Sequence, residues 1–206
     1  DYTKINIPDS YRMGLELDVN WALLPELQLS GALTLSENKI LEFTEYVDDW
    51  DTYEQVAIEH ELTDISFSPP IIASAELKWN ILQTFMEESD HDLSLVISNK
   101  YVGKQYLDNT MNETASLDPF TYTDARIRYA FGNKWLKNAM LEFYISNSFD
   151  AKYVSNGWSY RYRTNSFDPV PFDPYTIADN PQGYYYQLGL FPQATRNYFV
   201  KLIFDF

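Results

Sequence analysis

Cysteine is absent from the 206-residue sequence, which excludes a disulfide framework, a thiolate metal site and a cysteine nucleophile. Long apolar runs are absent too. None approaches the roughly 18 to 20 residues that a membrane-crossing helix needs, and the mean hydropathy is -0.37. Basic residues are scarce, 15 Lys and Arg against 30 Asp and Glu, and the net charge of -15 repels a phosphate backbone, so nucleic acid is not a partner. The sequence holds no Gly-rich phosphate loop, serine-nucleophile elbow or zinc motif. An enzyme is therefore not expected, nor a catalytic residue, a metal site or a cofactor. His60 and His91 lack neighbours at ligand spacing and read as ordinary loop residues. The chain opens on Asp1 with neither Met nor a secretory leader. The expectation is a segment of a longer polypeptide.

Aromatic residues are abundant, at 17%, with 17 tyrosines. They favour strands and surfaces where apolar and aqueous media meet. The dominant local signal is an alternation of period 2, the mark of a strand with two unlike faces. Tyr11, Met13, Leu15, Leu17, Val19 and Trp21 alternate with Arg12, Gly14, Glu16, Asp18 and Asn20. The pattern resumes from Leu27 to Leu35, from Ile71 to Asn80, from Leu93 to Tyr101, from Thr123 to Phe131, from Leu141 to Ser146 and from Tyr198 to Phe206. It fails from Glu42 to Asp64, which reads as a long acidic loop, and from Ala151 to Pro192, which is rich in Tyr, Pro, Asn and Asp. Turns are expected at 22–25, at Gln83 to Asp90 and at Gly132-Asn133-Lys134.

Long and short connections thus alternate along the chain. Outer-membrane barrels have short periplasmic turns and long outer loops, and strands of about ten residues suffice to cross a bilayer at a steep tilt. The reading is an all-β, transmembrane, antiparallel β-barrel. About seven strands are legible, whereas single-chain bacterial barrels close with even counts. An open edge in lipid costs several kcal/mol per unpaired backbone group. The remaining strands are expected upstream.

The residues Ser10-Tyr11-Arg12-Met13-Gly14-Leu15-Glu16-Leu17, Leu33-Thr34-Leu35-Ser36-Glu37-Asn38-Lys39-Ile40 and Ile65-Ser66-Phe67-Ser68-Pro69 form one ordered series. Lys100-Tyr101-Val102-Gly103-Lys104-Gln105-Tyr106-Leu107-Asp108-Asn109-Thr110, Asn156-Gly157-Trp158 and Pro192-Gln193-Ala194-Thr195-Arg196-Asn197-Tyr198 continue it. Together they resemble the C-terminal barrel of TonB-dependent receptors of the Bacteroidetes type, over nearly the whole chain, 1–206. The resemblance implies the last strands of a barrel of about 22 strands, in the outer membrane of a Gram-negative bacterium. It further implies an N-terminal plug and earlier strands that lie outside this sequence, and uptake coupled to an inner-membrane energy complex. Val200, Leu202, Phe204 and Phe206 resemble the terminal signal read by the barrel-assembly machinery.

Trp158, Tyr160, Arg161, Tyr162 and Arg163 are ligand-binding candidates, because aromatic faces and guanidinium groups can stack on a ring or grip an anion. Extension of a strand above the membrane is the plainer alternative. Glu16, Asp18, Glu76, Lys78, Arg126 and Arg128 are expected to face the lumen and to pair there. The about nine carboxylates from Glu42 to Asp64 could hold Ca²⁺, but they lack a calcium-loop spacing and read as a solvated charge run. Tyr184, Tyr185 and Tyr186 read as girdle or loop packing. The leading function is active import of a scarce nutrient, a ferric siderophore or other metal chelate. Import of a glycan or peptide with a surface lipoprotein is the second. A secreted carbohydrate-binding β-sandwich, and a barrel held as a client of the assembly machinery, complete the alternatives.

Overall fold

The computed structural model describes residues 6–7, 9–86, 89–132 and 138–205. The strands are β1 (Ser10–Leu24), β2 (Leu27–Asp49), β3 (Glu54–Asp64), β4 (Ile71–Asn80), β5 (His91–Val102), β6 (Gln105–Tyr106), β7 (Ser116–Leu117), β8 (Phe120–Phe131), β9 (Asn138–Ser146), β10 (Val154–Arg163), β11 (Thr176–Asn180), β12 (Tyr184–Pro192) and β13 (Asn197–Asp205). One short helix, α1 (Ile81–Phe85), follows β4, where Asn80 caps its first turn. Phe206 of the terminal signal, Asn133 and Lys134 of the Gly132 turn, and Glu87 and Glu88 within the turn from Gln83 to Asp90 lie outside the described residues.

The wall is an unbroken antiparallel series β1-β2-β4-β5-β8-β9-β13, seven strands. These are the seven that carry the period-2 signal. Cross-strand partners share a face, so the register settles which side each residue takes. Leu17 faces Leu33, Leu29 faces Leu77, Leu77 faces Ile97, Leu95 faces Ile127, Ile127 faces Phe143 and Phe143 faces Val200. All lie on one side and form a continuous apolar band. Leu15, Leu17, Leu35 and Ile97 are exposed. The β-sandwich alternative needs them buried between two sheets and is thereby corrected.

The opposite face is polar and curls inward. Arg126 on β8 reaches over β5 to Glu76 on β4, at 3.2 Å. Short connections join β1 to β2, β4 to β5 and β8 to β9 at one end of the wall. The three long excursions, between β2 and β4, β5 and β8, and β9 and β13, all leave from the other end.

Two loop expectations are corrected. The stretch from Glu42 to Asp64 is a hairpin: β2 continues to Asp49, turns, and pairs with β3 from Lys39 opposite Asp64 to Asp49 opposite Glu54. Within the stretch from Ala151 to Pro192, β10 pairs with β12, β12 pairs with β11, and β10 runs parallel to the tip of β2 through Tyr162 opposite Asp48 and Arg163 opposite Asp49. Both are strands without hydropathic alternation, because above the membrane neither face meets lipid.

Candidate functional site

Arg161 occupies the centre of the assembly that the three excursions build. Its Nη1 donates to Glu45 Oε2 on β2 and its Nη2 to Asp179 Oδ2 on β11, each at 2.8 Å. The Tyr184 and Tyr186 rings of β12 lie 4.9 and 5.5 Å from the guanidinium carbon, in cation–π range. The Arg161 side chain is only 11% exposed. Burial alone would lower its pKa, but Glu45, Tyr186 and Asp179 outweigh burial and raise it. His60 Nε2 meets the same Glu45 oxygen at 2.8 Å while its ring stacks on Phe43. His60 is thus a strand residue of β3, which corrects the loop reading; His91 opens β5 and bonds the Tyr129 hydroxyl at 2.8 Å.

The other candidates divide by face. Tyr162 is buried, stacked on Trp50 at 4.0 Å and flanked by Tyr160 and Tyr185. Tyr160 donates its hydroxyl to Asp48 at 2.8 Å. Arg163 pairs with Asp49 at 3.3 Å. Arg161 and Tyr162 are turned into the assembly and join loops to one another. Trp158 is the member presented outward, 44% exposed. Its indole lies against Gly189, its cross-strand partner, where an added Cβ would fall 2.0 Å from the indole nitrogen.

The second excursion supplies a staple that reading by periodicity missed. Asp108 accepts from the Thr110 amide at 3.0 Å, the Thr110 hydroxyl at 2.6 Å and Ser159 on β10 at 3.1 Å. Asn109 accepts from the Ser66 amide, and Asn112 donates to Asp179. Leu107, Ala115, Leu117 and Tyr186 form a small buried core with Val154 and Leu188 against it. Burial raises the Tyr186 phenol, and the nearby Asp108 carboxylate adds to that. Tyr186 is therefore loop packing and not girdle. The segment Gln105 to Thr110 was visible as part of the resemblance, and the pairing of Arg161 and Arg163 with the hairpin had a signal as well: nine carboxylates from Glu42 to Asp64 have no Lys or Arg among them.

On the wall, Glu16, Asp18, Glu76, Lys78, Arg126 and Arg128 all fall on the polar face. Arg126 pairs with Glu76, and Arg128 with Glu142. Among the described residues Glu16, Asp18 and Lys78 make no ion pair. A hollow on this face is lined by Asp18, Asn20, Ser30, Glu76, Lys100 and Asp124. Val200, Leu202 and Phe204 project from the apolar face of β13, exposed. Among the described residues no group of three or more His, Asp or Glu side chains is arranged to hold a metal ion.

A family model described as TonB dependent receptor-like, beta-barrel, matches residues 1–148. No curated protein matches the sequence. Among solved structures the chain is similar to the ferric yersiniabactin uptake receptor FyuA from Yersinia pestis, at 13% identity and a TM-score of 0.54, covering 95% of this chain and 23% of that one. It is similar also to the siderophore receptor PiuA from Acinetobacter baumannii, at 16% identity and a TM-score of 0.54, covering 89% and 22%. These likenesses are of fold. The chain spans less than a quarter of the length of either receptor. With the family matched over most of the sequence and the apolar band, polar face and one-sided excursions in place, the chain belongs to the TonB-dependent receptor β-barrel family and is a wall segment of an outer-membrane barrel.

Proposed function

We propose that this segment is part of an active importer whose cargo is a ferric siderophore or other metal chelate. Membership of the receptor family carries the reading, and the two similar structures are named as a ferric yersiniabactin uptake receptor and a siderophore receptor. In this reading Glu16, Asp18, Glu76, Lys78, Arg126 and Arg128 line the lumen. An inner-membrane complex drives transport through a region outside this chain, and the assembly machinery reads Val200, Leu202, Phe204 and Phe206. The role is transport and not catalysis. Radioiron uptake by cells with and without the gene, each with and without a protonophore, tests it. The expected result is uptake that requires both the gene and the proton gradient; equal uptake with and without the gene overturns it.

Uptake of a glycan or peptide with a surface lipoprotein is the second reading. Trp158 favours it, as a part-exposed indole held against Gly189 suits stacking on a sugar ring. Co-purification of a lipoprotein, together with gene-independent iron uptake, is its expected signature.

A further inference from the structure

The three excursions hold one another in a closed ring of contacts. The first meets the second where Asn109 accepts from the Ser66 amide at 2.8 Å and the Tyr106 carbonyl accepts from the Phe67 amide at 2.9 Å. The second meets the third where Ser159 donates to Asp108 at 3.1 Å and Asn112 to Asp179 at 2.7 Å, and where Leu107, Ala115 and Leu117 pack with Tyr186. The third meets the first through Arg161 on Glu45, Tyr160 on Asp48, and Asp51, which accepts from the Asn165 amide at 2.6 Å and the Thr164 hydroxyl at 2.8 Å. Each contact joins two residues of this chain and needs nothing that borders it.

Two of the interfaces share residues. Tyr186 packs with the second excursion and lies 5.5 Å from the guanidinium carbon of Arg161, which binds the first. Asp179 accepts from Asn112 of the second excursion and from Arg161. A side chain that serves two contacts couples them, because a shift that releases one displaces the other and strips a buried charge of its partner. Charge acts in the same direction. From Glu42 to Asp64 there are nine carboxylates and no Lys or Arg, so parting the third excursion from the first takes away the guanidinium groups that Glu45 and Asp49 hold.

The junction with the wall is built differently. The wall ladders stop at Ile71, Val102, Phe120, Ser146 and Asn197. Beyond them the backbone turns irregular: Phe67, Asn147 and Asp150 take φ of 52°, 51° and 57°, uncommon for residues with a side chain. The excursions can therefore part from one another without breaking a pair of the wall.

We propose that the three excursions open and close as one cooperative unit, with Arg161, Asp179 and Tyr186 as the shared joint. A ligand or partner that engages any one of them then shifts all three. The assignment is independent of the cargo that crosses the barrel.

The test uses the full-length protein in lipid nanodiscs, with hydrogen exchange read by mass spectrometry under conditions where the rate reports the opening equilibrium. Leu117→Ala opens a cavity in the second excursion, and Asp51→Ala removes a tie between the first and the third; heat-modifiable gel mobility reports the barrel. The slowest amides of β3, of 105–117 and of β10 are followed. The expected result is one common acceleration in all three regions, alike within threefold, of at least tenfold for Leu117→Ala and at least fivefold for Asp51→Ala, with β5 and β8 of the wall at their wild-type rates. Exchange of β3 within twofold of wild type in Leu117→Ala overturns the proposal. So does an acceleration that extends equally into β5 and β8, which would make the whole barrel the opening unit. Should Leu117→Ala fail to assemble, Asp51→Ala decides by itself, and exchange of 105–117 within twofold of wild type overturns the proposal.

Discussion

Replacing Arg161 by methionine keeps most of the side-chain volume and removes the charge that lies between Glu45 and Asp179. Their side chains are 15% and 6% exposed, and Arg161 itself 11%. Breaking a buried ion pair from one side costs about 3 to 5 kcal/mol, because the orphaned charge stays desolvated. Here the lower end applies: His60 still reaches Glu45, and Asn112 still donates to Asp179. The loss, about 3 kcal/mol, falls on the docking of β10 to β12 against the hairpin and leaves the wall intact. Amides of β10 and β12 should then exchange with deuterium on the order of a hundredfold faster, while amides of β4, β5 and β8 keep their rates. Arg126→Met is the control, since Arg126 and Glu76 are 30% and 41% exposed and such a pair contributes at most about 1 kcal/mol. Exchange in β10 and β12 within threefold of wild type in Arg161→Met would refute the keystone role.

Two further outcomes follow from the same structure. Val200 lies on the apolar face of β13, 67% exposed; Val200→Arg should destabilise the barrel by about 2 to 4 kcal/mol in denaturant unfolding from lipid vesicles, against under about 1 kcal/mol for Lys201→Gln on the polar face. Equal effects would reverse the face assignment. The backbone of Asn165, with Ser166 and Thr164, holds the Asp51 carboxyl down at about 2. A depressed pKa gives a tether present above the ordinary carboxylate value and lost as pH falls through the depressed one. Pepsin cleavage within 164–175 should stay flat down to about pH 4 and rise toward about pH 2; a rise centred above pH 5, or an unchanged profile in Asp51→Ala, counts against the tether.

Hydropathic alternation alone is enough to specify the wall. From Tyr11 to Trp21, and again from Leu27 to Leu35, each strand meets hydrocarbon on one side and a polar lumen on the other, so the chemistry of the two media is written into alternate residues. The succession of short and long connections set the direction of the excursions. What stands above the wall depends on contacts between distant strands. β3, the outer half of β2, and β10 to β12 have faces that meet water or one another, and no medium imposes a period on them. The acidic stretch from Glu42 to Asp64 read as a solvated loop because its compensating cations come from elsewhere: Glu45 and Arg161 are 116 residues apart. Tyr162 and Tyr186 likewise look like surface aromatics in sequence and become buried through distant neighbours, Trp50 and Tyr185 for the one and the Leu107 core for the other. A membrane acts on every residue that crosses it and leaves a local pattern, whereas a buried ion pair or ring stack depends on where a distant strand comes to lie.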